Sequence, residues 1–359
     1  MPCLSDMPNN IMQQIIKESD FKSVLTLRKV CKEFRNFIDA LDEILLPDNK
    51  FTRIQIFAKP SGILLKFDIR NIIDLIVYQI KENGNCDRMH DKKHTILKDV
   101  DVVDIALKDL ELILKFQKNC LQSSTFNMTF WPGEDSDERS IATLFAEKLK
   151  ILLKSKLFKT ENLRISAFTQ NEVMSVFPYV DSDTLKRIWI DRPFLSSLRD
   201  QEKVVMKMDE IVKTKQWKNA EEISILSFEF SEPLETLQHF CVMNINVGLI
   251  SAQNLNNLRK VNLDFLLQSL QSFTFQHFSN SSKFIKFYIG YEELTDIEEL
   301  RRLWGQSCKD RVTGEQKWFF RMTSYTDVME VRSKSGEFPY FDFSRIEFNQ
   351  VPHGAAIQE

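Results

Sequence analysis

The residues with the clearest potential for chemistry lie between positions 86 and 94. Cys86, His90 and His94 follow a C-x3-H-x3-H spacing, with two aspartates beside them. Thiolate and imidazole are ligands that zinc prefers, but a structural zinc site takes four ligands. Only three are present, in a segment (Glu82 to Lys93) whose charged composition predicts a surface loop. We therefore expect no metal site and no cofactor.

Motifs for nucleophilic or phosphate chemistry are missing from the sequence. There is no G-x-S-x-G, no P-loop and no G-x-G pair, and the five histidines have no carboxylate or thiol motif around them. Paired glutamates and the acidic run from Pro132 to Arg139 are expected to be solvated charge. The sequence therefore does not predict an enzyme.

Composition indicates an intracellular protein of two or three domains, or one extended solenoid. Among 359 residues, 48 are basic and 51 acidic, for a net charge of −3, so no nucleic-acid partner is expected. Six cysteines occur without any C-x-x-C pair, which is typical of reduced thiols. No apolar run approaches a membrane span, so we expect no membrane partner and a location in the cytoplasm or nucleus.

Apolar residues recur at helical spacing in three short blocks over the first forty positions. Pro8 suits the first position of a helix, where its missing N–H needs no partner, and Asp20 can cap a second helix. Leu27, Val30 and Phe34 fall on one helix face. Forty residues bury too little surface to be stable alone, so a leftover apolar face is a candidate docking surface. On spacing alone, a helical hairpin packed on its own domain is an equal alternative.

A contiguous L-R-K-V-C-K-E-F-R run begins at Leu27 and follows an L-x-x-M-P start and an apolar first helix. This pattern resembles an F-box, although Ser19 stands where that family usually has leucine. The resemblance implies a three-helix domain over 1–45 that docks on a Skp-type adaptor. The residues then expected to bind the adaptor are Leu4, Met7, Pro8, Ile11, Met12, Ile15, Leu27, Val30, Cys31 and Phe34.

A β-rich connecting segment is expected over 46–99. Phe51 to Phe57 and Ile63 to Ile69 alternate apolar and polar side chains around a Pro-Ser-Gly turn, which predicts two strands. Ile72 to Ile80 is predicted to be another apolar strand or a short helix.

From about Val100, helical and strand patterns alternate, which favours parallel strands joined by helices. Helices are predicted at Val103–Phe116, Ile141–Leu153, Val173–Val180, Leu198–Val212, Leu234–Phe240 and Ala252–Leu267. Strands are predicted near Phe126–Phe130, Leu163–Ile165, Leu185–Ile190, Ile223–Phe228, Val242–Val247, Leu270–Phe275 and Phe284–Ile289.

Several of these strands share an L-x-x-L-x-L pattern, the strand half of a leucine-rich repeat. The asparagine expected after each strand is missing, and the spacing of the copies is uneven. The copies begin at Leu185, Ala220, Val242, Leu270 and Phe284. We therefore predict an α/β fold in which an irregular, leucine-rich-repeat-like solenoid occupies 100–290. An ordinary open α/β sheet is the alternative.

Short motifs in this region occur in a characteristic order, at Glu161–Ile165, Val176–Val180, Asp183–Leu185, Gln216–Glu222 and Ile250–Leu255. Their order after an F-box resembles the FTH domain of nematode F-box proteins, over about 145–285.

The region beyond position 290 is expected to contain a helix and a β-meander over 291–350. Its strands are predicted at Lys317–Arg321, Val328–Val331 and Phe338–Phe348, and such an end is also common in the FTH family. Residues 351–359 are expected to form a disordered tail.

The two resemblances together imply a substrate-recruiting subunit of a Skp-cullin-F-box ubiquitin ligase. The F-box would bind the adaptor, and through it a cullin, while the α/β region would capture a protein target. No catalytic residue is expected, because ubiquitin transfer belongs to other subunits. The alternative is a non-ligase interaction scaffold.

The target is expected on the outer face of the strands, because the apolar positions of the repeat point toward the helices. Trp189 and Tyr288 are the expected anchors, since exposed aromatics are enriched at binding hot spots. The alternative for Trp189 is that its side chain packs against a helix and is not exposed. The predicted lining comprises Arg164, Ser166, Arg187, Trp189, Asn244, Asn246, Thr274 and Tyr288.

Overall fold

The structure is a computed structural model that describes residues 7–69, 72–81, 84–128, 141–193, 204–260, 286–310, 312–322, 326–336 and 338–358. The chain divides into two compact units. The first comprises Met1–Asn162 and Tyr179–Thr184, and the second comprises Leu163–Pro178 and Leu185–Glu359. Among the described residues, no helix is long and apolar enough to cross a membrane.

The first unit begins with three short helices, α1 (Asn9–Glu18), α2 (Phe21–Val30) and α3 (Lys32–Ala40). The carboxylate of Asp20 accepts a hydrogen bond from the Ser23 amide at 2.8 Å, so the predicted cap of the second helix is present. Pro8 lies just before the first helix rather than at its first position.

The helices are packed into the rest of the first unit through the ring of Phe21. Its centroid lies 5.6 Å from that of Phe51 and 5.1 Å from that of Phe116, both in edge-on geometry. The inner faces of α1, α2 and α3 carry the buried side chains of Ile16, Val24 and Ile38, respectively. The short helices therefore gain stability from a larger core, as their length requires.

Six paired strands among the described residues complete the first unit. They are β1 (Arg53–Lys59), β2 (Gly62–Ile69), β3 (Ile72–Ile80), β4 (Cys86–His90), β5 (Lys93–Leu97) and β6 (Leu121–Met128). The strands from β1 to β5 pair antiparallel in chain order, and β6 pairs parallel to β1. Two helices, α4 (Val102–Lys115) and α5 (Ile141–Lys154), contact β2 and β1, respectively.

The β1–β2 turn requires glycine at position 62. Gly62 has φ of +151°, and a Cβ atom there would lie 1.9 Å from the carbonyl oxygen of Tyr78 on β3. The two predicted strands around this turn are confirmed, and 72–80 is a strand rather than a helix. The loop predicted at 82–93 was wrong in part, because it contains β4. Cys86 and Asp87 are buried there, although the segment is polar in sequence.

The second unit contains most of the remaining strands. They are β7 (Thr160–Ser166, which contains the boundary between the units), β8 (Arg187–Asp191), β9 (Val204–Met206), β10 (Glu222–Phe230), β11 (Val242–Ser251), β12 (Lys286–Thr295), β13 (Cys308–Lys309), β14 (Gln316–Arg321), β15 (Asp327–Lys334), β16 (Tyr340–Glu347) and β17 (Ile357–Gln358). The helices are α6 (Gln170–Met174), α7 (Lys215–Asn219), α8 (252–260) and α9 (Ile297–Trp304).

The sheet of the second unit changes from parallel to antiparallel at β12. Strands β8 and β9 pair parallel to β10, and β10, β11 and β12 pair parallel in turn. Strands β16, β15 and β14 then continue the sheet antiparallel. The mixed α/β class is therefore confirmed, whereas solenoid character is not, because an antiparallel meander extends the parallel strands.

Other sequence predictions fail at particular segments. The described part of Leu198–Val212 contains β9 and a 3₁₀ turn at Ile211–Lys213 instead of a helix, and the helix predicted at Leu234–Phe240 is a 3₁₀ turn. The strand predicted at Leu270–Phe275 lies outside the described residues. In place of a disordered end, Ile357–Gln358 pairs with β14.

Candidate functional site

Three apolar side chains of the N-terminal segment are exposed to solvent, Met7 before α1, Ile11 on α1 and Val30 at the end of α2. Met7 is 37% exposed, Ile11 42% and Val30 65%. Exposed large apolar side chains of this kind are candidates for contact with a protein partner. Of the residues predicted to bind an adaptor, Pro8 is also exposed, Ile15, Leu27 and Cys31 are half-buried, and Leu4 lies outside the described residues.

Two of the residues predicted to bind the adaptor are core residues. Met12 is 8% exposed and Phe34 only 5%. The Phe34 amide also donates to the sulfur of Cys31, which caps α3. Because their side chains are covered by the chain itself, Met12 and Phe34 support the helices, and a partner would meet the exposed residues instead.

Polar contacts fix the helices that carry this surface. The guanidinium of Arg28 on α2 pairs with both carboxylate oxygens of Asp39 on α3, at 2.7 and 2.9 Å. Ser19, where the resemblance predicted leucine, closes α1 by donating its hydroxyl to the Ile15 carbonyl at 2.7 Å. The substitution thus exchanges an apolar contact for a helix-terminal hydrogen bond.

The three residues considered as zinc ligands are divided between the two faces of the β4–β5 hairpin. Cys86 and His90 are four residues apart on β4, so their side chains lie on the same face of the hairpin. His94 pairs with Met89, whose side chain lies on the opposite face. Burial raises the pKa of the Cys86 thiol, which disfavours the thiolate that zinc binds. That this segment binds no metal stays a prediction, which the division of the three residues between two faces favours.

Each histidine of the hairpin has a carboxylate partner. His90 Nε2 lies 2.7 Å from Asp74 Oδ1, and this hydrogen bond lowers the pKa of Asp74. His94 Nδ1 lies 3.2 Å from Asp87 Oδ2. Asp74, His90 and Asp91 have potential ligand atoms within 4.8 Å of one another, but the hydrogen bond between the first two accounts for their proximity. These contacts are structural hydrogen bonds around a β-hairpin.

The outer face of the second unit's sheet brings together residues that are far apart in sequence. The strand registers place one residue from each of β8, β10, β11, β12 and β16 in a single row. The members of this outer row are Trp189, Ser224, Asn244, Tyr288 and Asp342. Trp189 and Tyr288, three strands apart, are separated by about 14 Å across the sheet.

Trp189 lies at one end of the outer row and is 39% exposed. The guanidinium of Arg164 lies over its ring, with Cζ 4.7 Å from the centroid. The buried carboxylate of Asp191 holds Arg164 in place, accepting from its Nε at 2.9 Å and from the Ser166 hydroxyl. Arg187 pairs with Glu222 at 2.8 Å. Trp189 therefore stacks with an arginine and does not pack under a helix.

Tyr288 lies toward the other end of the outer row. Its ring stacks on that of Tyr340, with centroids 5.2 Å apart. Burial and the hydrogen bond that the Tyr340 hydroxyl donates to Glu315 at 2.7 Å raise the pKa of Tyr340 to about 12. Both tyrosines are half-buried, so the predicted anchor has one ring face covered by its neighbour.

The side-chain amide of Asn246 occupies the space that a side chain at Gly290 would fill. A Cβ atom at Gly290, its partner on β12, would lie 2.2 Å from Asn246 Oδ1. Thr274, the remaining predicted target residue, lies outside the described residues. Sequence reasoning missed Ser224, Asp342 and Tyr340, because strand register alone places them beside the predicted residues.

Comparison with family models identifies two known domains. The F-box domain model matches residues 4–45, and the FTH domain model matches residues 143–301. No curated protein and no solved structure matches the chain. The first match covers α1, α2 and α3, and the second runs from α5 into α9, including the outer row from Trp189 to Tyr288. The chain therefore contains an F-box domain and an FTH domain.

Proposed function

We propose that this chain is a substrate-recruiting subunit of a Skp-cullin-F-box type ubiquitin ligase. The observation that carries the proposal is an F-box and an FTH domain in one chain, with exposed apolar side chains on the F-box helices. In this arrangement Met7, Ile11 and Val30 meet a Skp-type adaptor, which bridges to a cullin. The chain contributes binding and positioning inside the cell, and it carries no catalytic group.

Co-purification tests the first half of this proposal. The tagged full-length chain, expressed with a Skp-type adaptor and a cullin, is expected to retain both in a single complex on gel filtration. A chain that retains neither would contradict the proposal. Adaptor retained without cullin would favour the alternative, an interaction scaffold that acts outside a ligase.

The target-binding part of the proposal concerns the outer row and its neighbours Arg164, Arg187 and Asn246. It is supported by the exposure of Trp189 and by the polar groups that accompany it, since a rigid aromatic with nearby hydrogen-bonding groups is typical of binding hot spots. Strand positions about 14 Å apart match the spacing of side chains four residues apart on an extended peptide.

Changing Trp189 to alanine is expected to weaken target capture while lowering the free energy of unfolding by less than about 1 kcal/mol, because the indole is partly exposed. Proximity labelling in cells measures capture, and urea denaturation measures stability. Val312→Ala, at a residue that is 95% exposed, is the matched control. Unchanged capture with a large loss of stability would place the indole in the core and the target elsewhere.

A further inference from the structure

A cleft of about 350 Å³ lies in the first unit, outside the surfaces described above. It is bounded by the turn that follows the F-box helices, by the end of α4 and by the segment after α5. Its lining consists of Glu43, Ile44, Leu114, Lys115, Gln117, Lys118, Asn119, Lys156, Leu157, Phe158 and Lys159. Its volume is within the range of pockets that bind small molecules or a few peptide side chains.

Hydrogen bonds between the three segments give the cleft a defined shape. Lys118 Nζ donates to the Ile44 carbonyl at 2.9 Å, and Lys156 Nζ donates to the Leu114 carbonyl at 2.7 Å. Lys156 also pairs with Glu43 at 2.7 Å. The cleft is therefore built by contacts between sequence-distant residues, which keep its walls in place.

The cleft is strongly basic in a chain whose net charge is −3. Four lysines and one glutamate line it, so its lining has a net charge of +3. Lys115 and Lys118 donate to backbone carbonyls, which carry no net charge and therefore leave the positive charge uncompensated. Asp48, beside the cleft, accepts from the Lys118 amide and the Asn119 side chain and offsets one of these charges.

Two aliphatic side chains of the lining are exposed to solvent. Ile44 is 78% exposed and Leu157 61% exposed. Exposed aliphatic groups beside uncompensated cations favour a ligand that has both an apolar part and negative charge.

The partial negative charge at the end of α4 is a competing explanation for the lysines. It accounts for the contact of Lys156 with the Leu114 carbonyl, because cations are stabilised at helix C-termini. It does not account for the exposure of Ile44 and Leu157. We propose that the cleft binds an acidic peptide segment of a partner protein that also presents an apolar side chain.

The test uses the full-length chain and a fluorescein-labelled peptide of sequence Glu-Glu-Leu-Glu-Glu, with binding measured by fluorescence anisotropy. The control peptides replace leucine by serine or all glutamates by lysines. The acidic peptide with leucine is expected to bind best and to weaken as salt is raised, because screening reduces the attraction between charges. Equal binding of all three peptides, or none, would overturn the proposal.

Paired variants locate the binding. Ile44→Ser with Leu157→Ser changes only exposed side chains, and Lys118→Glu with Lys159→Glu reverses two charges. Each pair is expected to weaken binding about fivefold or more, as loss of two contacts of this kind implies. The controls are Val312→Ser and Lys218→Glu, at exposed residues of the second unit.

Circular dichroism checks that each variant is folded. If charge reversal disturbs the hydrogen bonds made by the lysines, the variant with serine at positions 44 and 157 still tests the proposal, because it leaves those hydrogen bonds intact. Vesicles of phosphatidylcholine and phosphatidylserine in equal parts provide the last arm. Vesicle binding that these variants abolish, with no peptide binding, would overturn the proposal in favour of a membrane surface. Peptide binding unchanged in both variant pairs would overturn it as well.

Discussion

Replacing Val30 by aspartate is expected to abolish binding to a Skp-type adaptor while leaving the chain folded. Val30 ends α2, and 65% of its surface is exposed, so the chain's own core does not depend on it. Burying a carboxylate without a partner in an apolar interface costs on the order of 2–4 kcal/mol, or about 30- to 1000-fold in the dissociation constant. Titration calorimetry with purified adaptor measures this loss.

The control for this prediction is the same substitution at another exposed valine. Val312→Asp lies in the second unit, and that side chain is 95% exposed. It is expected to leave adaptor binding unchanged. If Val30→Asp binds the adaptor as the unmodified chain does, the exposed surface of α2 is not the docking surface. Ile11→Asp, 42% exposed on α1, then tests the other part of that surface.

Exposed positions give a cleaner test than Leu27 and Phe34, two of the less exposed residues that the sequence predicts to bind the adaptor. Phe34 is buried, so Phe34→Ala is expected to lower the stability of the F-box helices as well as any binding. If that variant loses adaptor binding, the loss does not show whether Phe34 contacts the adaptor or only keeps the F-box helices folded. The aspartate variants at Val30 and Ile11 make this separation.

Replacing Trp304 by alanine is expected to lower the free energy of unfolding by about 3–5 kcal/mol, the range for large aromatic truncations in a core. The indole is fully buried, and its ring meets four others edge-on, with centroid distances from 5.4 to 6.1 Å. The rings belong to Trp318, Phe320, Phe341 and Phe343. Guanidinium denaturation measures the change.

Trp189→Ala removes the same side chain from the exposed face of the same unit and is the matched control. It is expected to change stability by less than about 1 kcal/mol. One feature moderates the effect at Trp304: its Nε1 has no hydrogen-bond partner among the described residues, and truncation removes that buried donor. Similar losses of stability in the two variants would show that Trp304 does not organise this core.

The sequence by itself determined the elements whose signals are local. The short apolar blocks indicate short helices, the carboxylate of Asp20 caps the second of them, and the alternation before and after Gly62 specifies two strands. The order of short motifs was enough to identify both domains, because each motif is contiguous along the chain.

Tertiary structure decided the properties that depend on distant residues. Polar composition hid the strand at Cys86–His90, which forms because β3 and β5 satisfy its backbone groups on both sides. The sequence predicts one helix face for Val30 and Phe34, but the helix breaks at Cys31, which places them on α2 and α3, where Phe34 is buried and Val30 is exposed.

The candidate sites depend still more on the fold. Register across five strands assembled the outer row, in which Asp342 lies more than 150 residues from Trp189. The basic cleft joins lysines from two regions with an isoleucine more than 70 residues earlier. The sequence thus determined which elements form, since helix and strand signals act over a few residues. Only the tertiary structure decided which side chains meet, because strand register and burial depend on contacts between distant parts of the chain.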